Sequence, residues 1–560
     1  MKRTPPVTFI FLAISALCAA GSLYVLGLFF DKTKGNEWIW IFLTYIALAA
    51  LGMITKRKSF FGLGCAIVLT AFVSALGIPT VVAALAFLTA AVGYGSTVRR
   101  VLLRSEVSTN LVFDGIVGLI PLMGICGALL HLSLPARDVY TALIVIGTLL
   151  GLSRLSDSIK SAARSIRASN PMSPGTATAA AFCATAITFT CLAALFPSVN
   201  YDDTAFHLRL ATELNAYGRA LFDVTTQIWA VSPHYGDLFY AVPTVIAGED
   251  ARGAVNFSLI IVCASLFGRG IFAIRQSAST ALLATALFIS CPVFFLVGTT
   301  MQSELLLTTL AVAAARALLI RPENRTQVLN GLVTLVAICA LMAGIKTTGA
   351  LLGALLISAW CCLWIFQFRK LDSANVRLHV PRATLFLGAA AFVALHSYVN
   401  AYFVTGNPVF PLFNAVFRSP HYAAENFANS LYAHGSSWQS FFEMFFHTSR
   451  YLESGDGVAG FQYLVLMPAA LVGVWIERRN PRMLAVVITG VLFFLLLFAQ
   501  QQYVRYLLPA TALLAWPLLE IVTLPSNTAL IKPTRWLLIT SACALTLLKD
   551  LKSTRLNSSH

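Results

Sequence analysis

Asp202 and Asp203 stand side by side just after a long apolar run, in the stretch Tyr201-Asp202-Asp203-Thr204-Ala205-Phe206-His207. Adjacent carboxylates repel, which raises the pKa of one of them unless a cation or a hydrogen-bond donor compensates. Such a pair suits general-base chemistry, or the holding of a cationic or hydroxyl-rich group. A structural reading stands beside it: the acids N-cap the helix that follows and complement its dipole. One residue can cap while the other does chemistry. Asp203 and His207 lie at i and i+4, a spacing that lets them face each other on a helix. A second polar island follows, Ser232-Pro233-His234-Tyr235-Gly236-Asp237-Leu238-Phe239-Tyr240. Its start is too polar to cross a membrane, and its aromatics suit the headgroup level. His234 reads either as a ligand or proton carrier, or as a hydrogen-bonding surface residue. Lys346 and Arg505 fall at the ends of apolar runs. They read either as functional cations or as side chains snorkelling to headgroups. Arg209 reads as a headgroup contact.

These residues sit in a chain built for a bilayer. Of its 560 residues, 58% are hydrophobic and 11% charged, against about 25% charged in a soluble domain. Apolar residues recur in runs of roughly 16 to 24, the length that spans a bilayer core. The formal net charge of +16 gathers in short loops between runs, as the positive-inside rule requires. That placement excludes nucleic-acid binding. All 11 cysteines fall inside apolar runs, so neither a disulfide framework nor a zinc site is indicated.

The fold class expected is all-α: a polytopic transmembrane bundle of about 17 spans, with interfacial helices and two outer-face loops. The spans read near 7–30, 37–54, 60–77, 80–97, 111–132, 138–153, 176–196, 252–274, 279–297, 304–320, 327–345, 348–366, 383–403, 460–476, 483–499, 504–522 and 535–548. The first of these is too long for a signal-peptide core and reads as a transmembrane helix. With the N-terminus inside, basic clusters such as Lys56-Arg57-Lys58, Arg99-Arg100 and Arg478-Arg479 all land on the cytoplasmic side. The loops 197–251 and 404–459 then face outward, where a rigid scaffold positions chemistry. Residues 204–217 read as an amphipathic helix in the interface plane. The tail from Ser553 to His560 reads as non-native.

The order of these features resembles the GT-C superfamily of membrane glycosyltransferases, including protein O-mannosyltransferases and the aminoarabinose transferases that modify lipid A. Tyr201-Asp202-Asp203 matches the acidic pair after an outer helix end, and Ser232-Pro233-His234-Tyr235 the Pro-containing segment. Met342-Ala343-Gly344-Ile345-Lys346-Thr347-Thr348-Gly349 is similar to a lysine turn between later helices. Gly406-Asn407-Pro408-Val409-Phe410-Pro411 and Tyr503-Val504-Arg505-Tyr506-Leu507-Leu508-Pro509 are similar to later motifs. The likeness covers about residues 176–522. Residues 1–175 form a transmembrane region without a counterpart in the smaller families, and 523–560 hold the last span and the tail.

The resemblance implies sugar transfer from a polyprenyl-phosphate carrier to a lipid, glycan or protein acceptor. The reaction is implied to invert, on the periplasmic face of a bacterial inner membrane. Asp202, then Asp203, are the expected catalytic acids. His207, His234, Tyr235, Lys346 and Arg505 are the expected substrate-binding residues. Paired carboxylates can hold a divalent cation, but two adjacent acids alone do not indicate one, and no cofactor is expected. No Gly-rich phosphate loop is visible. Loop 404–459 adds His421, Glu425, His434, Trp438, Glu443, His447, Glu453 and Asp456, which read as sugar or acceptor recognition or as a solvated cap. Rival readings are a flippase for a lipid-linked glycan, which would place ionisable groups at the midplane, a polysaccharide polymerase or ligase, and a non-catalytic scaffold.

Overall fold

The computed structural model describes residues 58–103, 110–168, 173–198, 200–322, 325–366, 380–428, 430–454, 456–460, 474–475 and 477–518. The described chain is helical, 78% helix with no strand. Nine helices among the described residues are long and apolar enough to cross a membrane: Ile78–Leu102, Leu111–Leu129, Ala136–Ser161, Gly175–Leu195, Arg252–Arg275, Gln327–Ile345, Thr347–Ile365, Pro381–Thr405 and Pro481–Gln500. The protein is therefore a multi-pass integral membrane protein. All nine coincide with expected spans. The expected spans 7–30, 37–54 and 535–548, most of 460–476 and the tail lie outside the described residues.

The expected span 60–77 is a helix, Lys58–Leu76, but is not among those nine, and three further expected spans take another form. The run 279–297 is two helices, Ala278–Ile289 and Pro292–Gly298, bent by 64°. Pro292 has no amide hydrogen to continue the first helix, and it forces the preceding residue out of helical geometry; Cys291 has φ −62° and ψ 126°. The run 304–320 is Glu304–Leu319. Its 16 residues reach about 24 Å, less than the roughly 30 Å of a bilayer core. Nearly all its residues are buried, so protein rather than lipid surrounds it. The run 504–522 begins with a 3-10 turn, Val504–Leu507, and continues as Leu508–Leu518.

The basic loops and the outer motifs occupy opposite ends of the bundle. At one end Arg99 Nε pairs with Asp114 Oδ1 at 3.0 Å, and Arg99 also donates to Asn330 and Thr334. Arg275 pairs there with Glu477 at 3.0 Å. At the other end lie Asp202, Glu304, Lys346 and Arg505.

One hydrophobic cluster runs from Val68 to Trp516. The helices before residue 175 belong to it. Ile78–Leu103 and Leu111–Leu129 pack against Tyr235–Ala247, the helix after the Pro233 segment, and so back the outer site. Glycines let these helices approach. A Cβ on Gly118 would lie 1.8 Å from the Ala91 carbonyl oxygen, and one on Gly95 1.7 Å from that of Asp114. Small residues serve this purpose where lipid gives helices no hydrophobic drive to associate. Gly118→Ala is expected to destabilise the protein by about 1–3 kcal/mol through overpacking. The check is the melting temperature of the detergent-solubilised variant, and an unchanged value would contradict the close crossing.

Candidate active site

The loop between Gly298 and Glu304 is the floor of the site, and the sequence pins it from below. Arg252 donates to the carbonyls of Thr299 and Phe196. Asn256 donates to those of Gly298, at 2.9 Å, and Thr300, at 2.7 Å, and accepts from Tyr240 Oη at 2.7 Å. These buried bonds satisfy carbonyls that the bent helix end would otherwise orphan. Neither Arg252 nor Asn256 stood out in the sequence as a site residue.

That loop receives the acidic pair. Asp203 is fully buried, and its Oδ2 accepts from the Met301 amide at 2.8 Å and from Ser198 Oγ. Burial pushes its pKa up, against those two bonds and the nearby His207 and Arg252. It does not line the cavity described below. Asp203 is thus a buried anchor of the floor, which corrects its expected place among the catalytic acids. Asp202 points the other way. Its Oδ2 accepts from Arg505 Nη2 at 2.7 Å and from Gln302 Nε2 at 3.4 Å. Neither acid makes a side-chain cap to the helix that follows, so the capping reading fails for both.

The amphipathic helix begins as a π-turn, Asp203–His207, before Leu208–Tyr217. The wider turn swings His207 away from the i+4 geometry expected with Asp203. His207 Nδ1 instead meets Asp237 Oδ1 at 2.6 Å. Burial lowers the His207 pKa, but the Asp237 carboxylate, with Asp203 adding to it, more than offsets this and leaves it above 6.5. A His pKa raised on folding adds stability in full below the unfolded value and loses it as pH climbs through the folded one. The protein is therefore expected to lose thermal stability as the pH rises above about 6.5. Asp237→Asn is expected to flatten that slope in melting curves; an identical slope in the variant would contradict the pairing.

Four charged groups from four parts of the chain meet at the site. Glu304 Oε1 accepts from Lys346 Nζ and lies 3.8 Å from Arg505 Nε. With Asp202 they form an alternating chain, Lys346–Glu304–Arg505–Asp202. Lys346 Nζ also sits 4.1 Å from the Tyr506 ring centroid, and Arg505 Cζ 4.4 Å from that of Tyr503. Lys346 and Arg505 therefore turn inward to partners and do not snorkel. Glu304, like Asp237, is a site residue that sequence reasoning missed. The signal for Glu304 was an acid at the very start of an apolar run.

A cavity of about 1180 Å³ opens beside this chain. Asp202, His207, His234, Asp237, Lys346 and Arg505 line it. So does Arg209, which pairs with Glu213. Its apolar wall includes Phe222, Trp229, Leu296, Leu351 and Leu497. Loop 404–459 contributes Tyr432 and Glu453. Tyr432 stacks on Tyr503 at 4.2 Å, and Tyr503 Oη donates to Glu453. The other polar residues singled out in that loop do not line the cavity. Gly406-Asn407-Pro408 is a structural turn, with Asn407 Nδ2 donating to Leu412 O at 2.9 Å.

His234 lines the cavity but is 5% exposed. Burial, then His396, pushes its pKa down to about 3. It stays neutral, which removes the proton-carrier reading at ordinary pH, and its two ring nitrogens have no partner among the described residues. Tyr235 is not a lining residue, contrary to expectation. It packs away from the cavity against Gly127 and Gly344, its hydroxyl 3.4 Å from His396 Nδ1. Among the described residues no group of three or more His, Cys, Asp or Glu side chains is arranged to hold a metal ion.

No protein-family model, no curated protein and no solved structure matches the chain.

Proposed function

We propose that this protein transfers a sugar from a polyprenyl-phosphate carrier to an acceptor hydroxyl, on the non-cytoplasmic face of the membrane. The observation that carries the reading is the meeting of Asp202 with Arg505 and Lys346 at one wall of a large, partly apolar cavity. In such a transfer the acceptor oxygen attacks the anomeric carbon through an oxocarbenium-like transition state. Asp202 takes the hydroxyl proton. The bond from the anomeric carbon to the phosphate oxygen breaks, and negative charge builds on the departing phosphate. Lys346 and Arg505 stabilise that charge more than they stabilise the ground state, which is where rate is gained. Arg505 Nη1 and Nε make no hydrogen bond among the described residues, and a buried donor without a partner favours an incoming oxygen.

The size of the cavity supports two occupants. Single-ligand pockets run from about 300 to about 1,000 Å³, and this one is larger. Its apolar side suits a prenyl tail, and the aromatic side chains from loop 404–459 suit a sugar. The basic loops at the far end of the bundle support an outward-facing cavity by the positive-inside rule, and the resemblance favours a bacterial inner membrane.

The test is a membrane assay with a panel of radiolabelled polyprenyl-phosphate sugars. Label moving from carrier to a new acceptor is the expected result. Lipid-linked sugar crossing the bilayer with its phosphate bond intact would make the protein a flippase instead.

A further inference from the structure

Glu304 has no place in the transfer just described, yet it is almost completely shielded from solvent. It is 1% exposed and does not line the cavity. It lies behind the two cations, with Lys346 Nζ on its Oε1 and Arg505 Nε 3.8 Å away. Its Oε2 has no hydrogen-bond partner among the described residues. A carboxylate so placed cannot touch a substrate. It acts through Lys346 and Arg505.

Two things follow from elementary electrostatics. Side by side, two cations repel, and an anion between them holds them together. The same anion also subtracts from what they offer a ligand. Lys346 and Arg505 supply two positive charges, and Glu304 and Asp202 cancel both. The empty cluster is neutral. A phosphodiester brings one negative charge to it, and a diphosphate diester brings two.

We propose that Glu304 is a positioning residue that sets the charge of the carrier: it restricts the site to carriers joined to the sugar through one phosphate and disfavours those joined through two. This rests on the reading of the cavity as a lipid-phosphate site. Replacing Glu304 by a neutral isostere adds one unit of positive charge behind the cations. Across a few ångströms of protein of effective dielectric near 20, that unit is worth about tenfold or more in relative affinity for the second negative charge.

The experiment uses the purified full-length chain in detergent. The probes are methyl esters of polyprenyl phosphate and polyprenyl diphosphate of equal chain length, which carry one and two charges and no sugar. Native mass spectrometry reads the affinity ratio. Wild type is expected to favour the monophosphate ester by at least about tenfold. Glu304→Gln should shrink that preference by about tenfold. The double variant Glu304→Gln with Lys346→Gln restores neutrality and should restore the ratio at lower overall affinity, which a merely structural role for Glu304 would not produce. Thr347→Lys adds a charge at the cavity wall with Glu304 intact, and should move the ratio as Glu304→Gln does even if that variant fails to fold. An unchanged ratio in folded Glu304→Gln would overturn the proposal while leaving the lipid-phosphate reading standing, and an unchanged ratio in Thr347→Lys would overturn its premise that charge at the site sets the preference. Wild type that binds neither ester would overturn both.

Discussion

Asp202→Asn is expected to insert and fold normally and to lose sugar transfer by roughly a hundredfold to ten-thousandfold, the range of a missing general base. The substitution is nearly isosteric. An asparagine oxygen still accepts from Arg505 and Gln302, which now meet Asp202 at 2.7 and 3.4 Å. The floor of the site does not depend on it, because Asp203 and Arg252 hold that loop. What disappears is the group that can take a proton. A rate assay at saturating donor, paired with a melting curve, separates the two effects. Transfer within a few-fold of wild type would remove Asp202 from the reaction.

Arg505→Met should fail in two ways at once. Arg505 is buried, with one face on Asp202 and the other near Glu304. Its removal leaves Asp202 without its arginine and Glu304 with Lys346 alone. Breaking a buried pair from one side costs about 3–5 kcal/mol. In the proposed transfer, the loss of a donor to the leaving phosphate is expected to cost a further hundredfold to roughly thousandfold in rate. Arg505→Lys keeps the charge but cannot reach both carboxylates with one ammonium, so it should recover more stability than activity. A variant that melts like wild type and transfers sugar at the wild-type rate would contradict the placement of Arg505.

Much of this was legible from residue order alone. The apolar runs gave all nine described spans, and Asp202, Lys346 and Arg505 stood at the ends of runs where a charge is conspicuous. Their meeting was not legible, because 144 residues separate Asp202 from Lys346 and a further 159 lead to Arg505. Glu304 escaped notice because an acid at a helix start has an ordinary explanation in the helix dipole. Only the fold shows that Lys346 answers it. The Asp203–His207 pairing was expected from α-helical spacing, and the π-turn at 203–207 defeated it. No local pattern in Asp203-Thr204-Ala205-Phe206-His207 announces that turn, whereas Asp237 as the partner depends on two separate helices packing side by side. Pro292 did announce the break in 279–297, but the surrounding run was apolar enough to read as continuous. Tyr235 shows the opposite limit: its neighbour His234 lines the cavity, and a step of one residue along the chain turns the next side chain into the packed bundle.

The most direct measurement is a cryo-electron microscopy map of the purified protein with a polyprenyl phosphate bound. Phosphate density within about 3 Å of Lys346 Nζ and the Arg505 guanidinium, with the Asp202 carboxylate facing the cavity beside it, is the result expected. A headgroup seated at the basic end of the bundle near Arg99, or on the lipid-facing surface away from the cavity, would contradict it.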